Sequence, residues 1–489
     1  MWKLYLKFIA FLIVFSMLII LLSACSKKNE DDSNLPDDNE ENQAKIEETT
    51  LGDPYDPGIA PEDFNEYELR ILTNDHESLT WAFTTMVVEE ETGEPILDAV
   101  YHRNSYIEET YNVKIKEIKG NFGTVSNTAR KSISAGTDDY DIVIDDNRII
   151  FTIVADGYCK DLTNYPYLNF TKPWWDYNSI HDFSVGNRVF MAAGDMTLAH
   201  YDCTCGVVFN KRIIHDYGLP DPYSLVKSNQ WTLESFETFL KSVSQDLDGD
   251  GIFTKDDLFG FTSLSFVIVP TFIHGAGVQP LTVSDNGSLE ITMDSDKFAS
   301  VYAKIVSIFH AGNYTYDTII HKTDHRLPEY IFKDGRALFW VQLLYWTTEL
   351  RGMSDDFGIL PFPKYDSDQK RYYSMVFGAP VMGIPTTNTG DDRTGMLIEA
   401  MCAESRRELI PAYYDRTMKQ KISRDDETIE MLDIIFNSRI YDIAGVYLPF
   451  VNDGIVGEYE KGNTSIASFI DKVSDKAEAE LQNIIDAFT

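Results

Sequence analysis

The feature that most constrains this chain is an alternation of short apolar runs with stretches of helical periodicity. Tyr67 to Thr73 reads as a strand, Ile96 to Tyr111 carries apolar residues at helical spacing, and Val113 to Ile118 is the next strand. Tyr140 to Ile144 follows as an apolar run bounded by Asp and Gly signals. Strands that alternate with helices fold as βαβ units around a largely parallel sheet, so the chain is expected to be α/β. The pattern resumes with a strand at Gly206 to Asn210, a short helix at Lys211 to Tyr217 and a longer one at Leu233 to Ser244, for which Thr232 is the N-cap. Further strands are expected at Val189 to Ala193 and Phe357 to Leu360, and a helix at Arg393 to Glu404.

The first residues obey a different rule. Lys3 and Lys7 precede an apolar run from Phe8 to Leu22 that ends in small residues. A membrane-spanning helix needs about 20 apolar residues, whereas an export signal has an apolar core of roughly 7 to 15. Residues 1–24 therefore read as a signal peptide. Leu22-Ser23-Ala24-Cys25 resembles the lipobox of bacterial lipoproteins, in which the cysteine thiol receives a diacylglycerol. At about 0.8 kcal/mol per buried methylene, two or three acyl chains hold a protein durably on a membrane. The resemblance implies lipidation at Cys25 and a location on the extracellular face of the cell membrane.

Residues 25–63 are rich in Asp, Glu, Asn and Pro, and cannot bury enough apolar surface to offset their ordering entropy, so they read as an acidic tether. The rest holds enough of the 44% hydrophobic and 13% aromatic residues for a large core, and is too long for one compact domain. The formal net charge of −36 argues against nucleic acid or an anionic membrane surface as a ligand. Cys159, Cys203, Cys205 and Cys402 form no disulfide framework or zinc pattern and read as small buried residues.

Asp246-Leu-Asp248-Gly-Asp250-Gly251-Ile252-Phe-Thr254-Lys-Asp256-Asp257 matches a calcium loop. Calcium takes 6 to 8 oxygen ligands, and a loop turning sharply at a glycine aims alternate side chains and the position-7 carbonyl at one ion. Asp246, Asp248, Asp250, the Ile252 carbonyl, Thr254 and Asp257 are the candidate ligands of a structural calcium. Position 12 is Asp257 where an EF-hand has Glu, which resembles extracellular dockerin-like loops.

Several stretches together resemble extracellular solute-binding proteins of ABC transporters, the group that includes maltodextrin-binding proteins. They are Val207-Val208-Phe209-Asn210-Lys211 running into Tyr217-Gly218-Leu219, then Gln230-Trp231-Thr232-Leu233-Glu234, Phe332 to Phe339, Phe357-Gly-Ile-Leu-Pro361 and Ala379 to Pro385. Lys172-Pro173-Trp174-Trp175-Asp176 and the calcium loop look like a Gram-positive lipoprotein branch of that group. The resemblance implies a two-lobed, periplasmic-binding-protein-like (type II) fold, with residues 64–200 and 337–378 in lobe 1 and residues 201–336 and 379–489 in lobe 2. It implies hinge crossings near Tyr201 to Val208, Phe332 to Leu338 and Phe377 to Ile384. It also implies a monomer that closes on a small polar solute, a sugar or oligosaccharide, and hands it to ABC permease subunits without catalysis.

A sugar offers a C–H face and a rim of hydroxyls, so its site wants flat aromatic rings and planar polar groups. Because ligands lie beyond the carboxyl ends of strands in open α/β sheets, Asn74, Asp75, Asp145, Asp146 and Asp195 are candidates. The resemblance places a stacking aromatic shortly after Gly335-Arg336-Ala337, which singles out Trp340, Tyr345 and Trp346. Tyr201, Tyr373 and Phe377 lie near the expected crossings and join the set. Two other readings stay open: a glycan hydrolase using Asp145 with Asp146 as acid and base, and a ligand-presenting subunit of a sensor. Polyol, peptide and lipid-derived solutes also stay open.

Overall fold

In the computed structural model, local chemistry sets the elements. Helix Pro95–Tyr111 starts where the Glu94 carboxylate accepts the N–H groups of Ile96 and Leu97, with Pro95 at the first turn, and stops at Asn112 in the left-handed region. Its buried face, Ile96, Val100, Ile107 and Tyr111, follows helical spacing. Helix Leu233–Val243 begins with a capping box between Thr232 and Ser235 and buries Phe236, Phe239 and Leu240, each contributing roughly 2 kcal/mol relative to exposure. It lies so close to the strand below that a Cβ on Gly260 would sit 2.5 Å from the Leu240 backbone. Only glycine fits there.

The structure describes residues 53–284, 286–417 and 426–488. The signal peptide, Cys25 and the tether up to residue 52 lie outside the described residues. The strands are β1 (Tyr67–Asn74), β2 (Val113–Gly120), β3 (Ile142–Asp146), β4 (Cys205–Asn210), β5 (Phe259–Ser263), β6 (Leu281–Val283), β7 (Leu289–Ile291), β8 (Thr315–Asp317), β9 (Ala337–Leu343), β10 (Phe357–Leu360), β11 (Ser374–Val376), β12 (Pro380–Gly383) and β13 (Arg439–Tyr441).

Two sheets organise them. The first has the order β12-β3-β1-β2 and the second β10-β4-β9-β5-β8. β1 is parallel to both β2 and β3, and β5 to both β8 and β9. β12, β4 and β10 add antiparallel pairings. The first sheet thus shows the βαβ pattern read from the sequence, with β1 interior and β2 at an edge, where Val113 and Ile115 are buried while Lys114 and Lys116 are exposed.

The chain passes from the first sheet to the second between Ala199 and Cys205 and returns between Val376 and Pro380. Thr204 bridges Val376, and the Phe377 N–H donates to the Cys203 carbonyl, so the two passages hold each other. The third expected crossing, Phe332 to Leu338, does not cross: helix Leu327–Lys333 lies on β9, which pairs with β5 inside the second sheet. Consequently the lobe boundaries move. Residues 337–376, expected in lobe 1, build β9 and β10 of the second sheet, while β12 and helix Asp391–Thr417, expected in lobe 2, join the first sheet's side. The physical reason is pairing: Val381 and Met382 ladder onto Asp145 and Ile144 of β3. Residues 426–488 then touch both sides, helix Asp426–Asn437 on β10 and helix Ile443–Tyr447 on helix Asn147–Ala155. The expected strand Val189 to Ala193 is reduced to a single bridge from Ala192 to Met382. The four cysteines are free and buried, and desolvation pushes the Cys159 thiol up to about 12.

Candidate ligand cleft and candidate cation loop

The carboxyl ends of β1, β2 and β3 in the first sheet and of β5 and β9 in the second meet around a cavity of about 450 Å³. Trp81 reaches it from the segment after β1, Phe122 from just after β2, and Arg148 from the first turn of helix Asn147–Ala155 after β3. The second sheet supplies Phe266 after β5, Trp340 and Gln342 on β9, and Trp346 in the short helix Leu344–Gly352. Phe377, on the returning passage, closes the floor. Trp81 and Phe122 meet edge to face at 4.7 Å. A neighbouring cavity of about 370 Å³ shares Arg148, Phe266 and Phe377 and extends the cleft toward Asp442 and Asn452.

Two guanidinium groups lie over aromatic rings in this cleft. Arg148 sits 4.9 Å from the Phe377 centroid, and Arg326 4.7 Å from that of Trp346. Each is held by a buried carboxylate: Asp146 takes Arg148 through Nε at 2.9 Å and Nη2 at 2.5 Å, and Glu329 lies 2.6 Å from Arg326 Nη2. Trp340 is buried, and its indole N–H has no acceptor among the described residues.

Of the candidates chosen from the sequence, Trp340, Trp346 and Phe377 line the cleft, and Asp146 borders it through Arg148. Asp145 and Asn74 lie beneath it and are committed to each other: the Asn74 amide donates to Asp145 Oδ1 at 2.9 Å, and the Ser126 hydroxyl to Oδ2 at 2.6 Å. Burial raises the Asp145 carboxyl above its ordinary range, against these hydrogen bonds. Asp75 is not part of the lining; its carboxylate faces the Glu77 N–H at 3.5 Å. Asp195 and Tyr201 belong to a separate buried ionic cluster, with His200 3.3 Å and Arg406 3.2 Å from Asp195 and Arg439 over the Tyr201 ring. Tyr373 stands beside Gly277 under Arg371. Tyr345 turns into a different cavity of about 430 Å³, shared with His76, Phe83 and Tyr413. Trp81, Phe122, Arg148, Phe266, Arg326 and Gln342 were not read from the sequence. The strand-end rule pointed at Asn74, Asp75 and Asp146 and stopped a few residues short of Trp81 and Arg148.

The acidic loop joins helix Leu233–Val243 to β5. Carboxylate oxygens of Asp246, Asp248 and Asp250 lie within 4.8 Å of one another. Gly251 adopts φ +81°, and its N–H donates to Asp246 Oδ2 at 2.7 Å, closing the turn. Asp257 is buried and clasps both arms of the loop, accepting the Leu247 N–H at 2.8 Å and the Thr254 N–H at 2.7 Å. The Asp250 N–H lowers the Asp248 carboxyl, but desolvation and the adjoining Asp250 and Asp246 charges outweigh it and leave the group raised. Three converging carboxylates beside a glycine turn fit a hard divalent cation.

No family model and no curated protein sequence matches this chain. Solved structures do. The fold is similar to that of M. tuberculosis UspC, with TM-score 0.57 and 12% identity, covering 84% of this chain and 100% of that one. It is similar to a cyclo/maltodextrin-binding protein complexed with maltotetraose, with TM-score 0.55 and 10% identity over 86% and 96% of the two chains. An ABC substrate-binding protein from Listeria monocytogenes in complex with cycloalternan gives TM-score 0.50 and 11% identity over 86% and 97%. The chain has the two-lobed, periplasmic-binding-protein-like α/β fold, each sheet belonging to one lobe.

Proposed function

We propose that this protein is the substrate-binding subunit of an ABC importer, that it takes a carbohydrate between its lobes, and that Cys25 anchors it by lipid to the outer face of the cell membrane. The observation that carries the reading is the ring-lined cavity at the strand ends, to which both sheets contribute Trp81, Phe122, Phe266, Trp340, Trp346 and Phe377. Flat rings with a few fixed polar groups suit the C–H face and hydroxyl rim of a sugar. The structural neighbours, whose names speak of maltotetraose and cycloalternan, support the same reading. Closure would follow from a solute that touches both walls only when they approach, so that binding shifts the population of closed molecules and permease subunits read that shape.

No catalytic step is assigned. Asp145 and Asp146 face different partners, Ser126 with Asn74 and Arg148, so they do not converge on one bond as an acid and base would. A thermal-shift and calorimetric screen of the soluble protein against mono- and oligosaccharides tests the reading. A ligand at 100 times its dissociation constant should stabilise by about 2.7 kcal/mol. A panel with no binder at millimolar concentration would remove the proposal.

The proposal includes a structural calcium held by Asp246, Asp248, Asp250, the Ile252 carbonyl and Asp257, with Thr254 beside it. Its role would be to neutralise the converging carboxylates and fix the junction between helix Leu233–Val243 and β5. The thermal midpoint in millimolar calcium should exceed that in EDTA by several degrees, and Asp248→Asn should shrink the difference. Equal midpoints would remove the metal.

A further inference from the structure

Resting on the reading of the cleft as a carbohydrate site, we propose that its ligand is an anionic carbohydrate, one bearing a carboxylate or sulfate, seated between Arg148 of one wall and Arg326 of the other. The cleft leaves several hydrogen-bonding groups unspent. Asp146 occupies Nε and Nη2 of Arg148, and Nη1 has no acceptor among the described residues. Arg326 touches Glu329 through Nη2 alone, and its side chain is 45% exposed. Gln342 turns its Oε1 to the Leu343 N–H at 2.9 Å, which leaves its amide N–H groups as the unspent side. The Trp340 indole N–H, closed to solvent behind the lining, is a further donor without an acceptor among the described residues.

Between the two arginines the acceptor side is poor; the carboxylates of Asp442 and Asp453 stand in the neighbouring cavity, which Arg326 does not line. Glu329, the carboxylate among the lining residues, is buried and lies within reach of both Arg326 and Lys333. A neutral sugar hydroxyl gives as readily as it accepts and would need carboxylates with free lone pairs, whereas an oxyanion only accepts. Guanidinium groups pinned by buried carboxylates and laid on rings are already oriented for planar oxyanions, so little side-chain entropy is lost on binding. The placement is also unusual for the molecule: a chain of net charge −36 sets two arginines on opposite walls of one cavity.

The test is calorimetry on the soluble protein in millimolar calcium with three probes: trigalacturonate, its fully methyl-esterified form of the same linkage, and a sulfated glycosaminoglycan disaccharide. The expected result is that the acid trisaccharide or the sulfated disaccharide binds at least tenfold tighter than the ester. Whichever binds names the oxyanion. Arg148→Gln and Arg326→Gln, each checked for an unchanged circular dichroism spectrum and melting midpoint, should cut the acid-to-ester ratio toward one. Should Arg148→Gln fail to fold, Arg148→Lys keeps the charge without the planar fork, and a reduced ratio in it supports the proposal equally. If neutral oligosaccharides, in this set or the broader panel, bind as tightly as the acidic ones, the anionic assignment falls and the carbohydrate reading stands. If nothing binds, both fall.

Discussion

The tryptophans of the described chain divide into two groups that look alike in sequence and differ in what their indole N–H meets. Trp174 and Trp175 donate to Glu399 at 3.1 and 2.9 Å, and Trp231 donates to the Pro361 carbonyl at 2.8 Å. All three are buried in the lobes. Trp81, Trp340 and Trp346 line the cleft; the Trp81 N–H makes only a long contact, 3.5 Å to the Gly378 carbonyl, and Trp340 is buried with its N–H unpaired among the described residues. Burial alone does not separate the groups, since Trp340 is as covered as Trp231. The core rings each hold a short N–H bond, whereas the cleft rings Trp81 and Trp340 have a long one or none, which leaves their N–H groups the less committed.

The core group predicts the largest effect. Glu399 is fully buried, and desolvation pushes its carboxyl up to about 7, against the Asn169, Trp175 and Trp174 N–H groups that favour its charge. Its folded pKa therefore exceeds the unfolded value near 4.5, so the native state holds more protons between the two. Its contribution is complete below about pH 4.5 and is lost as pH rises through about 7. Glu399→Gln removes the titration at the cost of one acceptor, since its amide offers a single carbonyl oxygen where the two indoles now donate to different oxygens, so the slope with pH and not the absolute stability is compared. Relative to that variant, the wild-type protein should lose up to about 3 kcal/mol of unfolding free energy between pH 4.5 and pH 8. Parallel pH profiles in urea denaturation would show that the core indoles do not sit on a titrating carboxyl.

How far the sequence revealed each group follows from the same distinction. Periodicity and caps are local, which is why β1, the helix from Pro95 and the Thr232 cap could be read directly. The assignment of β9, β10 and β12 to sheets depends on pairing between residues more than 100 positions apart, as in Cys205 with Leu343, and no local signal records it. The cleft was legible in part. Trp340 and Trp346 were recoverable because they follow a recognisable segment and Phe377 because it lies near an expected crossing, whereas Trp81 and Arg148 enter from turns whose direction only the tertiary fold decides. Tyr345 and Trp346 are neighbours in sequence and face different cavities.

That last pair offers the next test. Trp346→Ala removes a ring of the cleft and the surface on which Arg326 lies, and should weaken the ligand tens of fold, about 2 kcal/mol. Tyr345→Ala, one residue away, should change affinity less than about twofold, because its ring lines the other cavity. Calorimetry with whichever saccharide binds measures both. Equal losses would mean that the two cavities act as one site, and the division between core and cleft rings would need redrawing.

The smallest effect is the most specific. Trp340→Phe retains an aromatic ring on β9 and removes the N–H together with part of the indole, so the fold loses no protein hydrogen bond and some buried packing. If that donor serves the ligand, affinity should drop about fivefold, the roughly 1 kcal/mol of one hydrogen bond, whatever the smaller ring costs in stability. Trp231→Phe should do the reverse, leaving the Pro361 carbonyl unpaired and costing roughly 1 to 3 kcal/mol of stability with affinity preserved. A Trp340→Phe protein that binds normally would show that the N–H does not serve the ligand, and Trp340 would join Trp174, Trp175 and Trp231 as a ring of the core.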